Sequence, residues 1–273
     1  MALLIRAVLV LFLTWQGLST LMSKGMNLNF LMTRGPLMFP DWLPMGWAGL
    51  QLLLAIWLLT PRYRQALWPL LLVLAAPMLA LFCYPVWMQS SGGFPAIGAG
   101  QTLIKQLAVC ALPLWLLGYR QQSKWLGMAG LALVFVWLGA MNFTQAQATD
   151  LAMLVQSSPL TRWLDTLLGS KGVAALAGVW DLLAAALFLI PASRLWGALA
   201  ISLALLIKLH FLATFDDALM YCWLTVTGAD LLKSALLLVV AWVVTPWPKA
   251  NGASVRPIGP ARRRSEGPAT VLR

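Results

Sequence analysis

Six ionisable side chains interrupt otherwise apolar runs of this chain: Lys105, Asp181, Lys208, His210, Asp230 and Lys233. Such groups are costly inside a membrane-length run, and they mark ligand sites, proton relays or ion pairs. Amides stand with them, at Gln16, Gln51, Asn142, Gln145 and Gln147, and amides of this kind commonly hydrogen-bond between helices. The first reading is structural. Asp230 and Lys233 lie three residues apart, on one helix face, and can satisfy each other. Lys105 and Lys208 are near enough to helix ends for their ammonium groups to snorkel. Lys208 and His210 are two apart and point to different sides. A lone His makes neither a bis-His haem nor a metal centre, so His210 reads as a hydrogen-bonded interface residue. Asp181 is the deepest acid, about nine residues or ~13 Å into its run. It must be protonated or paired, with Lys208 or Lys233 and the amides near Asn142 as its expected partners. The candidate polar network is Asp181, Lys208, His210, Lys233, Asp230, Lys105, Asn142 and Gln147.

Other chemistry is hard to build from these residues. Cys83, Cys110 and Cys222 form no CxxC and no metal-ligand spacing, so they read as buried thiols, with a Cys83–Cys222 bridge left open. No nucleophile motif, metal site or phosphate loop stands out, which leans against an enzyme, and no cofactor is identified.

The elements that must position this network are helices in a bilayer. The 273 residues are 61% hydrophobic and only 10% charged, against roughly a quarter charged in soluble domains. Eight runs approach the roughly 20 residues a span needs: 3–22, 46–60, 66–86, 102–118, 125–142, 172–190, 195–214 and 229–245. Several of the fifteen Trp fall at their ends, as at Trp42, Trp68, Trp125 and Trp196, where amphipathic rings favour the headgroup layer. The fold class is therefore all-α, a polytopic membrane protein of eight spans. Arg6, Arg62, Arg64, Arg120, Lys124, Arg194 and six basic residues of the tail fall on one side. Lys24, Arg34, Arg162 and Lys171 fall on the other. By the positive-inside rule both termini are cytoplasmic. The net charge of +11 thus reports topology rather than nucleic-acid binding, and the lipid bilayer is the first partner. The Gly-, Pro- and Arg-rich tail, 247–273, reads as disordered. The polar connections 23–45 and 143–171 read as segments lying on or dipping into the outer leaflet.

The chain also reads as built twice. Trp15 and Gly17 match Trp137 and Gly139, Pro36 matches Pro159, Gln51 matches Asp181, and Pro61 matches Pro191. Trp68 matches Trp196 and Lys105 matches Lys233. The offsets drift only from 122 to 130. Residues 1–120 and 121–246 would each hold four spans, an even number, so the two four-helix bundles insert in the same sense. The counterpart of residues 3–22 at the start of the second half argues against reading them as a signal peptide.

At Trp137–Phe143 (WLGAMNF), Ser157–Leu160 (SSPL), Pro191–Gly197 (PASRLWG), His210–Thr214 (HFLAT), Leu231–Lys233 and Gly92–Lys105 (GGFPAIGAGQTLIK), the chain resembles the YkgB-like membrane proteins. These include the reactive chlorine resistance protein C, within the wider DoxX-like group. Asn142 stands where that family has Lys, Gln147 where it has Glu, and Asp181 where it has Glu, while Lys233 corresponds to its fourth-helix Lys. The resemblance implies a bacterial cytoplasmic-membrane protein connected with oxidant stress, and the first functional reading is a non-enzymatic protein of the envelope stress response that binds a small apolar molecule between its halves. A second implied reading is the membrane subunit of a quinone-linked oxidoreductase, with quinone as cofactor and a membrane or redox protein as partner. A transporter is the third.

Overall fold

The computed structural model describes residues 1–22, 42–82, 100–220 and 223–245. These residues fold almost entirely into α-helix: α1 (Ala2–Met22), α2 (Trp42–Leu59), α3 (Tyr63–Ala75), α4 (Gly100–Val109), α5 (Ala111–Leu117), α6 (Arg120–Met141), α7 (Gln145–Ser157), α8 (Arg162–Leu189), α9 (Arg194–Thr214) and α10 (Val226–Val244). A two-residue antiparallel pair, β1 (Leu219–Met220) with β2 (Trp223–Leu224), joins α9 to α10. Among the described residues six helices are long and apolar enough to cross a membrane: α1, α2, α6, α8, α9 and α10.

The two remaining apolar stretches, Tyr63–Leu79 and Ile104–Leu117, are shorter, and proline accounts for their form. Pro113 has no N–H to give the carbonyl of Val109, and its ring crowds that turn. The helix accordingly stops at Val109 and restarts at Ala111. Pro77 lies in the stretch where α3 tightens into the 3-10 helix Ala76–Phe82. Pro61 and Pro191 follow the ends of α2 and α8, each in the short turn before the next helix.

Two close helix contacts with the same pattern are made over glycine. Gly17 on α1 faces α2 so closely that an added Cβ would lie 3.0 Å from Leu52 Cγ and 3.2 Å from the Ala48 carbonyl oxygen. Gly139 on α6 faces α8 in the same way, 2.7 Å from Leu182 Cγ and 3.1 Å from the Gly178 carbonyl oxygen. Small residues let backbones approach where lipid supplies no hydrophobic drive between helices. Gly169, with φ +68°, bends α8 away from its first two turns, a conformation that favours glycine.

Packing runs α1 on α2, α6 on α8, α8 on α9, and α9 on α10, with α4 and α5 laid along α6. α10 also touches α1 and α4, and joins the two ends of the chain. One apolar core joins Ile5, Leu9 and Phe12 with Phe135, Phe188 and Leu236, and a smaller cluster gathers Val155, Val173, Phe211 and Leu231. Outside this core, large apolar side chains such as Leu53, Ile56, Leu72, Leu183 and Leu206 face outward, as a lipid-facing surface requires.

Of the polar connections, 143–171 forms α7 and the first turns of α8. Most of 23–45, Cys83, Cys222, and the tail 246–273 lie outside the described residues; Cys110 is a buried free thiol.

Candidate functional site

Three helices converge on Asp181. α8 carries it inward, with its side chain 4% exposed. α9 brings Lys208, whose Nζ lies 3.5 Å from Asp181 Oδ2. The C-terminal end of α6 brings Asn142, whose Nδ2 donates to the same oxygen at 3.4 Å. Both distances are long for their kind, so Asp181 is held loosely. The Lys208 ammonium also sits 5.4 Å from the centroid of the Phe135 ring, within cation–π range. The side chain of Lys208 is 25% exposed, so the cation is the more accessible partner.

A second ion pair lies beside the first. Asp230 on α10 pairs with Lys105 on α4, across 125 residues of sequence. The sequence offered Lys233 as the partner of Asp230 and read Lys105 as near enough to a helix end to snorkel; the packed helices bring Lys105 to Asp230 as well. Lys233 is buried nearby, within electrostatic reach of both Asp230 and Lys105. A charge three residues away on one helix was the nearest partner by sequence. Helix packing offered a second one, because α4 and α10 touch. His210 stands apart: its Nε2 is 2.8 Å from Ser158 Oγ, which also accepts the backbone N–H of Leu160 at 3.2 Å. The bond ties α9 to the turn between α7 and α8.

The two ion pairs end a cavity of about 420 Å³, within the ordinary range for small-molecule sites. Its polar end holds Asp181, Lys208, Asn142, Lys105, Asp230 and Ser234, and Gln147 and Thr161 add polar atoms along α7 and the start of α8. Leu138, Leu151, Leu154, Val173, Ile207 and Phe211 form apolar walls. Leu176, Trp180 and Leu203 line it too and are exposed on the outside of the bundle. Its mouth therefore opens where lipid-facing side chains stand. His210 and Lys233 are not among the lining residues.

No protein-family profile, no curated relative and no solved structure matches the chain. Its chemistry therefore rests on this geometry.

Two polar side chains outside the expected network make these contacts: Ser234 lines the cavity and Ser158 bonds His210. Ser234 lies four residues after Asp230, hence on the same face of α10, and that spacing was the available signal. Ser158 gave none beyond its place before Pro159. Among the described residues no group of His, Cys, Asp and Glu could hold a metal ion.

Proposed function

We propose that this chain is an integral protein of a bacterial cytoplasmic membrane that binds a small, mostly apolar molecule in the cavity between α6, α7, α8, α9 and α10. One observation carries the reading: a lipid-facing mouth leads past apolar walls to a paired carboxylate and ammonium. An apolar pocket with a few convergent polar groups is the usual form of a ligand site. Buried charge in a membrane bundle is expensive unless something repays it. The binding role is non-enzymatic and belongs to the envelope and oxidant stress response that the sequence resemblance implies.

The fold that goes with it has eight spans, counting Tyr63–Leu79 and Ile104–Leu117 as two of them, and both termini are cytoplasmic. The halves 1–120 and 121–246 are duplicated four-helix bundles. The like contacts of Gly17 and Gly139, at offsets of 122 for the glycine and 130 for its Leu52 and Leu182 partners, support duplication. Reporter fusions after Tyr63 and after Gly92 should read cytoplasm and outer side respectively; a cytoplasmic signal at Gly92 overturns the topology.

Protein extracted in mild detergent should carry a bound molecule at near one-to-one ratio by mass spectrometry. Ala204→Trp, which fills the cavity from α9, should lose it. Bulk lipid in unchanged proportion from both proteins overturns the reading. In cells, Asp181→Asn should keep normal amounts of protein and lose resistance to hypochlorite. A quinone-linked subunit is the second reading, favoured by an ammonium that could donate to a carbonyl in the cavity. A quinone in the extract and reduction by a partner's electrons would establish it.

A further inference from the structure

We infer that the molecule taken by the cavity has a neutral head bearing a hydroxyl group, which donates to Asp230 and accepts from Ser234. The inference rests on reading the cavity as a ligand site, and it adds the chemical class of the ligand: an alcohol or phenol on an apolar body.

The first observation is a pair of unmet polar atoms on one helix. Ser234 is 1% exposed, lines the cavity, and its Oγ has no hydrogen-bond partner among the described residues. Asp230 lines the cavity too. Its Oδ2 is taken by Lys105, and its buried Oδ1 has no partner among the described residues. The two residues are four apart on α10 and so share a face. Buried oxygens of this kind are costly when left without a bond. Their demands are complementary, because a carboxylate oxygen only accepts whereas a serine hydroxyl can donate. One group that donates to Oδ1 and accepts from the Ser234 hydroxyl meets both. A hydroxyl does so with a single oxygen. Residues four apart on a helix have Cβ atoms about 5–6 Å from each other, a gap that one oxygen with two bonds of about 2.7–2.8 Å spans.

The second observation is the charge on either side of that gap. A carboxylate head there would set its own negative charge against Asp230 Oδ1. An ammonium head would meet Lys105, which holds the other oxygen of the same carboxylate. Like charges at contact distance in a buried site repel strongly, so both kinds of ion are disfavoured and a neutral head is left. An ether or ester oxygen accepts from Ser234 but leaves Oδ1 unmet. Lys208 and Asp181, at the same end of the cavity, are already paired with each other. The walls take the rest of the molecule, since they are apolar from Leu138 and Leu154 to Leu176 and Leu203.

The test uses the full chain in detergent with tritiated hexadecanol as probe. Unlabelled hexadecanol should compete at least about tenfold better than its methyl ether, hexadecanoate or hexadecylamine, the size of step that a hydrogen bond to a charged group gives. Ser234→Ala removes a buried hydroxyl that has no partner, so it should fold as well as the parent, and it should weaken hexadecanol about three- to tenfold. Asp230→Asn keeps the shape and removes the charge, and should let hexadecanoate gain on the alcohol; Ser234→Ala serves if that variant does not fold. An alcohol no better than its ether, an alcohol affinity untouched by Ser234→Ala, or a ratio of acid to alcohol unmoved by a folded Asp230→Asn overturns the hydroxyl. In each case the cavity reading stands as long as Ala204→Trp abolishes binding of the probe. No saturable binding of hexadecanol also overturns this inference, and the cavity reading falls with it only where the extracted protein carries no molecule that Ala204→Trp loses.

Discussion

On the proposed duplication Asp181 and Gln51 occupy matching places in the two halves, and the difference between them separates packing from chemistry. Each follows a turn that crosses the preceding helix over glycine: Leu52 on Gly17 in one half, Leu182 on Gly139 in the other. At the sequence offset of 122, Asn142 corresponds to Thr20, whose hydroxyl bonds the Gln16 carbonyl of its own helix at 2.9 Å. At the offset of 128, Lys208 corresponds to Ala80. Gln51 is buried, and its Oε1 has no partner. Around Asp181 the same places hold an amide and a cation, both directed at the carboxylate. The crossing itself therefore does not need the charge. What the second half adds beyond packing is the head of a cavity.

The comparison breaks most readily at the acid. Asp181→Leu should cost about 3–5 kcal/mol, because it leaves the Lys208 ammonium and the Asn142 amide without the acceptor that Asp181→Asn would keep, whereas Gln51→Leu should be neutral or slightly stabilising, because it removes an unsatisfied oxygen. Thermal unfolding in detergent reads both, and equal losses would mean that the halves use these positions alike. Next comes the tie between the halves. Lys105→Met and Asp230→Leu should each destabilise by about 3 kcal/mol, and the double variant should recover part of that loss, with a coupling of about 1–3 kcal/mol. Additive losses would show that the pair contributes no coupling and that the first half only packs beside the site.

Smaller effects sharpen the packing side. Gly139→Ala should destabilise by about 1–3 kcal/mol as overpacking, and Gly17→Ala by less, since its added Cβ would have 3.0 Å rather than 2.7 Å to the facing leucine. The smallest change expected is at His210. His210→Ala removes the bond to Ser158 and should cost about 1 kcal/mol, read as earlier proteolysis in the turn between α7 and α8. A loss as large as that of Asp181→Leu would move His210 into the central network.

Much of the helical layout was legible because hydropathy and proline act locally. Pro61 and Pro191 mark the turns after α2 and α8, and the long apolar runs mark the helices between them. The pairing of Asp181 with Lys208 and Asn142 could be anticipated, since a deep acid needs a partner and the next helix offered one cation. The Lys105–Asp230 pair could not. It depends on α4 meeting α10 across the whole bundle, and nothing within 125 residues of sequence encodes that approach. Apolar helices of similar composition leave their facing sides unspecified, so the sequence named the charged residues but not which of them meet. The cavity was hidden for the same reason: its walls are ordinary leucines until α7 folds back beside α8.

The most direct test of whether the second half holds the site is photolabelling of the intact protein in lipid nanodiscs. A hexadecanol with a diazirine near the chain end, activated by light and mapped by peptide mass spectrometry, reports where the tail lies. The expected result is labelling concentrated on Leu151–Val155, on Leu176–Trp180 and around Leu203, competed away by unlabelled hexadecanol and lost in Ala204→Trp. Labelling spread over the lipid-facing side chains of both halves, with Leu53, Ile56 and Leu72 marked as strongly as Leu176, would contradict it.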